Sequence, residues 1–223
     1  MSGVTDVAIP TMLEHLEHLG AAVYWPLPLV LWPIPTAIPF WLVFLWARTR
    51  ERQILSRSQP LNDAAANLDR GSWPLISHGW RLVRLAAVVV AFLTPALAEG
   101  ATRNAVFLFS LALMISGASL RQHCLRMLGD HFTYDVRVSE QSQIIKRGIY
   151  RWVRHPSYTG GMLFNLGLGL ALTNWNSIAL IIVGMVVMYV YRVHVEEQAL
   201  LQIHRADYSE YMRHTKRFVP FLF

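Results

Sequence analysis

Charged side chains are scarce in this chain. Asp, Glu, Lys and Arg make up 15% of 223 residues against 54% apolar residues, and the mean hydropathy is positive. That balance excludes an ordinary soluble domain of this length and reads as a membrane protein. Cysteine is nearly absent: Cys124 alone excludes an intrachain disulfide, and its place at the end of an apolar run reads as packing. The first twenty residues contain no Lys or Arg, so they lack the positive stretch of a secretory signal peptide, and the apolar run after them is expected to be retained. There is no internal repeat, no GxGxxG after a strand, no phosphate-binding loop, no GxSxG and no CxxC pair, which leaves soluble nucleotide folds unsupported. The net charge of +6 does not point to nucleic acid, because the basic residues sit between apolar runs rather than on a soluble face.

What is present is an all-α pattern of about five apolar spans, read as one integral membrane domain over residues 1–223, with N-terminal spans in 1–120 and the chemistry in 121–223. Residues 11–19 carry a capping box, Thr11 with Glu14, and leucines on neighbouring turns, which predicts a short interfacial helix. His15 and His18 beside Glu14 and Glu17 imitate a metal cluster but lack a third ligand of the right kind, so no metal is expected. Residues 24–47 form a first span kinked by five prolines, and 48–69 reads as an exposed loop with room for a short helix and without a catalytic signature. Residues 82–97 and 105–120 read as a helical hairpin turning near Gly100, with Ala112 and Ser116 at small-xxx-small spacing for close helix approach. Residues 162–172 and 177–191 make a second hairpin around Trp175, with Gly160 and Gly167 on one face as a packing seam. A charged helical segment, 195–216, is expected to leave the membrane and fold back beside Arg154.

The basic residues alternate by connection. None precedes residue 24, seven lie in 48–84, Arg103 stands alone at the first turn, seven lie in 121–154, none is at the Trp175 turn and five lie from Arg192 onward. By the positive-inside rule this predicts an N-terminus outside, a C-terminus in the cytoplasm, and Arg154 and Arg192 together on the cytoplasmic side.

The chain is organised around residues 148–160, GIYRWVRHPSYTG, where basic, aromatic and backbone-restricting residues meet a long apolar run. Pro156 forces His155 out of the helical region and offers a helix start with Tyr158 in its first turn, a place that attracts anionic groups. Further on, Arg192 and Glu196 are four apart and share a helix face, while Glu197 points elsewhere. On spacing alone, these residues describe an anionic or zwitterionic ligand at a membrane surface, or simply a basic membrane-edge turn and a surface ion pair.

The pattern GxYxxVRHPxYxG, followed by an apolar hairpin and then Arg192, Glu196, Glu197, Leu200, Tyr208 and Tyr211, resembles the isoprenylcysteine carboxyl methyltransferase family of integral membrane enzymes. The likeness covers about the C-terminal half, including Gly129, Asp130, His131 and Phe132; where the family usually has Phe-Gly before the two tyrosines, this chain has His204 and Arg205. The resemblance implies S-adenosylmethionine as methyl donor and a lipid-bearing carboxylate as acceptor in the bilayer. It implies Arg192 and Glu196 as catalytic residues, with Arg192 orienting the acceptor and Glu196 orienting Arg192. It further implies a cofactor site of Gly148, Tyr150, Arg154, His155, Pro156, Tyr158, Gly160, Glu197, Tyr208 and Tyr211. Phospholipid amine methyltransferases, sterol-reductase-like NADPH enzymes and a non-enzymatic membrane scaffold are the alternative readings. The reductases' Arg-His-x-Asn-Tyr-x-Gly-Asp block is not matched by residues 154–161.

Overall fold

A computed structural model of the chain describes residues 26–30, 35–56, 66–97, 100–138 and 143–218. The expected interfacial helix at 11–19, with its histidines, lies outside the described residues. Among the described residues six α-helices carry the fold: α1 Ala37–Leu55, α2 Ser72–Leu93, α3 Gly100–Leu128, α4 Pro156–Ala171, α5 Trp175–Ile203 and α6 Arg205–His214. The two polar connections meet in a minimal antiparallel ladder, β1 Ala66–Asn67 with β2 Arg137–Val138. Of the described helices, Ser72–Leu93, the helix and following turn at Gly100–His131, and Trp175–Ile203 are long and apolar enough to cross a membrane. Leu42, Leu82, Leu93, Leu108 and Val183 stand exposed on the outside of the bundle, as side chains facing lipid do.

The helices run further than hydropathy suggests. α1 continues to Leu55 through residues expected to be loop, α2 begins ten residues before position 82, and α3 passes Leu120 and ends at Leu128. The reason is visible at Arg121, which stays inside α3 because Glu51 of α1 accepts an ion pair from it at 2.9 Å. A paired arginine has no need to leave the helix for water. α3 stops where Gly129 takes φ 52°, a left-handed conformation that ordinary side chains avoid. The proline of α4 sits at its first position with His155 as the cap, as the sequence predicts. α5 starts at Asn174, whose side chain accepts from the Ser177 amide at 2.9 Å while its amide group donates to the Thr94 and Pro95 carbonyls. That cluster ties the Trp175 turn to the end of α2.

α3 and α4 approach closely along a glycine seam. A methyl group at Gly117 would meet the Phe164 amide nitrogen at 2.5 Å, and one at Gly160 would meet the Gly117 carbonyl and the Arg121 amide at 2.7 Å. The seam expected at Gly160 and Gly167 is present, but its partner face on α3 is Ser110, Met114, Gly117 and Arg121; Ala112 and Ser116 are exposed. Small-xxx-small spacing marks a helix that can be approached without saying on which face the neighbour lies.

Candidate active site

The segment before α4 is held by the C-terminal tail. Val153 bridges Lys216 in parallel, the Arg154 and His155 amides donate to the Lys216 and Arg217 carbonyls at 2.8 and 3.0 Å, and the Tyr211 hydroxyl donates to the Tyr150 carbonyl at 2.5 Å. The Arg154 guanidinium donates to the Met212 carbonyl at 3.2 Å and to that of Thr215, at the C-terminal end of α6, where a positive charge complements the helix dipole. The fold-back expected beside Arg154 is thus built from main-chain bonds. It needs no glycine: His204 ends α5 with its amide on the Leu200 carbonyl, and its own carbonyl accepts the Tyr208 amide to start α6.

Glu197 is buried beneath this turn, with Arg154 Nε at 3.1 Å, His155 Nε2 at 3.3 Å and Arg217 Nη2 at 2.8 Å. Glu196, one residue earlier, accepts from the Tyr158 hydroxyl at 2.5 Å. Tyr158 stacks on His155, with ring centroids 5.5 Å apart, and its hydroxyl also accepts from Arg192 Nε at 3.1 Å. Arg192 therefore reaches Glu196 through a phenol rather than pairing with it directly. Its ion-pair partner is Asp69, at 2.6 Å; Nη1 also donates to Ser72 Oγ, and Nη2 donates to the Tyr134 carbonyl, both at 2.7 Å. Four bonds to four residues leave little of the guanidinium for another partner.

Two cavities flank this cluster, and Phe132, Tyr158 and Arg192 line both. The smaller, about 150 Å³, lies between the turn, the ladder and α6. The larger, about 310 Å³, is enclosed by α1 to α5. Tyr150, Arg154, His155, Tyr158, Tyr208, Tyr211, Arg192 and Glu196, all predicted from the sequence, line the smaller one. Four predicted residues do not. Gly160 faces α3 in the seam, Glu197 lies underneath as the counter-ion of the turn, Pro156 starts the helix, and Gly148 takes φ 59° where a side chain would strike Met127.

The sequence reading missed Asp69, placed in a connection expected to hold nothing of chemical use. It also missed Arg84, Trp80, Gln122, Asn165 and the Glu51–Arg121 pair, all on the wall of the larger cavity. One signal was available: Asp69 three residues before Ser72, ahead of an apolar run, is helix-capping spacing. Its carboxylate does accept from Ser72 Oγ at 2.7 Å and the Trp73 amide at 2.9 Å. Burial alone would raise the Asp69 carboxyl, but these bonds, the Val136 amide and Arg192 together hold it below the usual value of 3.8. Burial pushes the Tyr208 phenol up, and the nearby Glu197 and Glu196 carboxylates push it further; burial likewise raises Tyr211. Both are neutral phenols at any working pH. The Tyr208 hydroxyl is buried and finds no hydrogen-bond partner among the described residues.

The profile of the isoprenylcysteine carboxyl methyltransferase family matches residues 110–202. The protein-S-isoprenylcysteine O-methyltransferase of Saccharomyces cerevisiae is 29% identical over 167 residues, which cover 70% of this chain and 66% of the yeast protein. The B form of that enzyme from Arabidopsis thaliana is 29% identical over 116 residues, 51% of this chain and 59% of the plant protein. The mouse enzyme is 28% identical over 117 residues, covering 50% of this chain and 40% of the mouse protein. The chain thus spans between two fifths and two thirds of these relatives' lengths. Among solved structures, a eukaryotic intramembrane Ras methyltransferase superposes with a TM-score of 0.55 at 23% identity, over 67% of this chain and 53% of that one. At that identity the likeness shows a shared fold.

Proposed function

We propose that this chain, whose residues 110–202 match the profile of the isoprenylcysteine carboxyl methyltransferase family, is an integral membrane methyltransferase that transfers a methyl group from S-adenosylmethionine to a carboxylate on a lipid-bearing acceptor. The observation that carries this reading is the pair of adjoining cavities that meet at Tyr158 and Arg192, the smaller one lined by several tyrosines. The names of the relatives, all isoprenylcysteine O-methyltransferases, favour an oxygen acceptor over the amine, reductase and scaffold alternatives.

The smaller cavity fits the methyl donor. Tyr208, Tyr211 and Tyr150 offer rings to an adenine, and Glu196, with its carboxylate partly exposed, suits a cation. The unpartnered Tyr208 hydroxyl is a donor awaiting an acceptor. When bound, S-adenosylmethionine supplies an electrophilic methyl carbon on a sulfonium, so that a carboxylate oxygen forms the new C–O bond while the C–S electron pair leaves with sulfur as a neutral thioether. The acceptor already carries its negative charge near neutral pH, and no general base is required. The protein's part is alignment and exclusion of water, which in favourable cases contribute roughly 7 to 11 kcal/mol. Asp69, Ser72 and the Tyr134 carbonyl fix Arg192; Arg192 and Glu196 fix the Tyr158 hydroxyl; and Tyr158, at the wall between the cavities, sets where the two reactants meet.

The same reading puts the site at the cytoplasmic face, with the basic connections, and the Trp175 turn outside. Asn174 and Thr94 meet at the end of the bundle that lacks the arginine clusters. Isothermal titration of the detergent-solubilised protein with S-adenosylmethionine and, separately, NADPH tests the enzyme class: binding of the first alone is expected. Binding of neither would return the chain to the scaffold reading.

A further inference from the structure

The larger cavity holds polar groups that the transfer chemistry above does not use. Arg84 of α2 reaches into it from the middle of the bundle, with its guanidinium on Asn165 Oδ1 at 2.8 and 3.3 Å and 5.4 Å from the centre of the Trp80 ring. Asn165 is neutral, and its own amide donates to the Gly161 carbonyl at 2.8 Å. No carboxylate among the described residues ion-pairs with Arg84, whereas Arg121 has Glu51 and Arg192 has Asp69. Two further donors on the same wall are buried and without partners among the described residues: Trp80 Nε1 and Gln122 Nε2. Trp80 is 5% exposed and Gln122 4%, so water does not readily serve them. A buried arginine whose nearest carboxylate, Glu51, is already ion-paired with Arg121, and two orphaned N–H groups on residues of the same wall are each costly, and together they describe the imprint of an oxyanion. Arg48, Arg52 and Arg81 are exposed around the same cavity, which makes its surroundings basic, and Phe164, Ile76 and Ala118 supply apolar wall.

We propose that this cavity takes the acceptor's head group, that the head group is an oxyanion on a lipid tail, and that Arg84 is its counter-ion, with Trp80 Nε1 and Gln122 Nε2 as neutral donors. The inference rests on the methyltransferase reading for the word acceptor and on the cavity alone for the oxyanion. It moves the acceptor contact from Arg192, whose bonds are already committed to Asp69, Ser72, Tyr134 and Tyr158, to a residue outside the segment that matches the family profile. Carboxylate and phosphate share the chemistry that this cradle recognises, and the probes below separate them.

The test is direct binding, by tryptophan fluorescence and titration, of three probes to the detergent-solubilised full chain: an S-isoprenylcysteine with a free carboxylate, its carboxamide, and an isoprenyl monophosphate. The wild-type protein is expected to bind at least one charged probe about 10-fold or more tightly than the carboxamide, a preference typical of charge-assisted hydrogen bonds. Arg84→Gln should abolish that preference, Arg84→Lys should restore part of it, and Trp80→Phe should weaken the charged probe several-fold without changing the carboxamide. Whichever charged probe binds more tightly identifies the head group. Thermal unfolding of each variant checks that the bundle is intact. Equal binding of all three probes to wild type, or a preference for charge that survives in Arg84→Gln, would overturn the proposal. S-adenosylmethionine titrated into the same samples keeps the two ideas apart. Cofactor binding without Arg84-dependent probe binding sinks the head-group site alone, and the reverse result sinks the methyltransferase reading alone.

Discussion

The two cavities on either side of Tyr158 differ in lining and in how the chain builds them. The smaller is lined from residues 128–211 and sets tyrosines around the Glu196 carboxylate; the larger draws on all of α1 to α5 and is dominated by arginines. The difference teaches that the two cavities are encoded at different ranges. The first is a nearly contiguous block that carries a motif, and the second is a convergence of helices with no motif at all.

The hardest way to break the comparison is to remove the residue that joins the two regions across the chain. Asp69→Asn leaves Arg192 buried beside a neutral amide, and losing one partner of a buried pair costs about 3 to 5 kcal/mol, so thermal unfolding should move sharply downward. The same residue predicts an acid limb. Because the folded Asp69 carboxyl lies below 3.8, its stabilisation is complete above that value and is lost as pH falls through the lower folded value. Unfolding midpoints followed from pH 7 down to pH 3 should fall more steeply in wild type than in Asp69→Asn. A variant with unchanged stability would show that the two halves are not tied at this point.

Gly160→Ala sharpens the difference between packing and ligand contact. Its methyl group would meet the Arg121 amide at 2.7 Å, so overpacking of the α3–α4 seam should cost about 1 to 3 kcal/mol in unfolding. Weakened cofactor binding without loss of stability would place Gly160 at the ligand instead.

Tyr158→Phe tests the wall itself. The ring and its stacking on His155 remain, while the hydroxyl that couples Arg192 to Glu196 is gone. Turnover should drop about 10- to 100-fold with S-adenosylmethionine affinity changed much less, the pattern of an interaction used in the transition state. An equal loss in both would make Tyr158 a cofactor contact.

The smallest effect concerns the smaller cavity alone. Tyr208→Phe removes a buried hydroxyl without a described partner, so the ligand-free protein should gain up to about 1 kcal/mol while cofactor affinity falls several-fold. Opposite signs in the two measurements are the expected signature, and loss of stability without loss of binding would assign Tyr208 to the core.

Residue by residue, legibility follows sequence distance. His155 and Tyr158 were singled out by the restricted backbone at Pro156, and Tyr208 and Tyr211 by the family resemblance; these four line the smaller cavity. The sequence set Glu196 on the Arg192 face and Glu197 apart from it; the structure sends Glu196 to Tyr158 and Glu197 beneath the turn, the consequence of one residue of offset on a helix. The helix ends were misjudged at Arg121 and across Arg48 to Glu51 because hydropathy treats each charge as alone, whereas Glu51 and Arg121 neutralise each other across two helices.

Composition and local pattern by themselves determined that this chain is a largely helical membrane protein and that its helices turn at Trp175 and restart at Pro156. Those properties depend on burial in lipid and on backbone restriction, which act over a few residues and so are written along the chain. Only the tertiary structure decided that Arg192 pairs with Asp69, 123 positions away, and that Arg84, Trp80 and Gln122 face one cavity. A buried charge selects its partner by proximity in space and by the cost of standing alone, and neither quantity exists until the helices have packed.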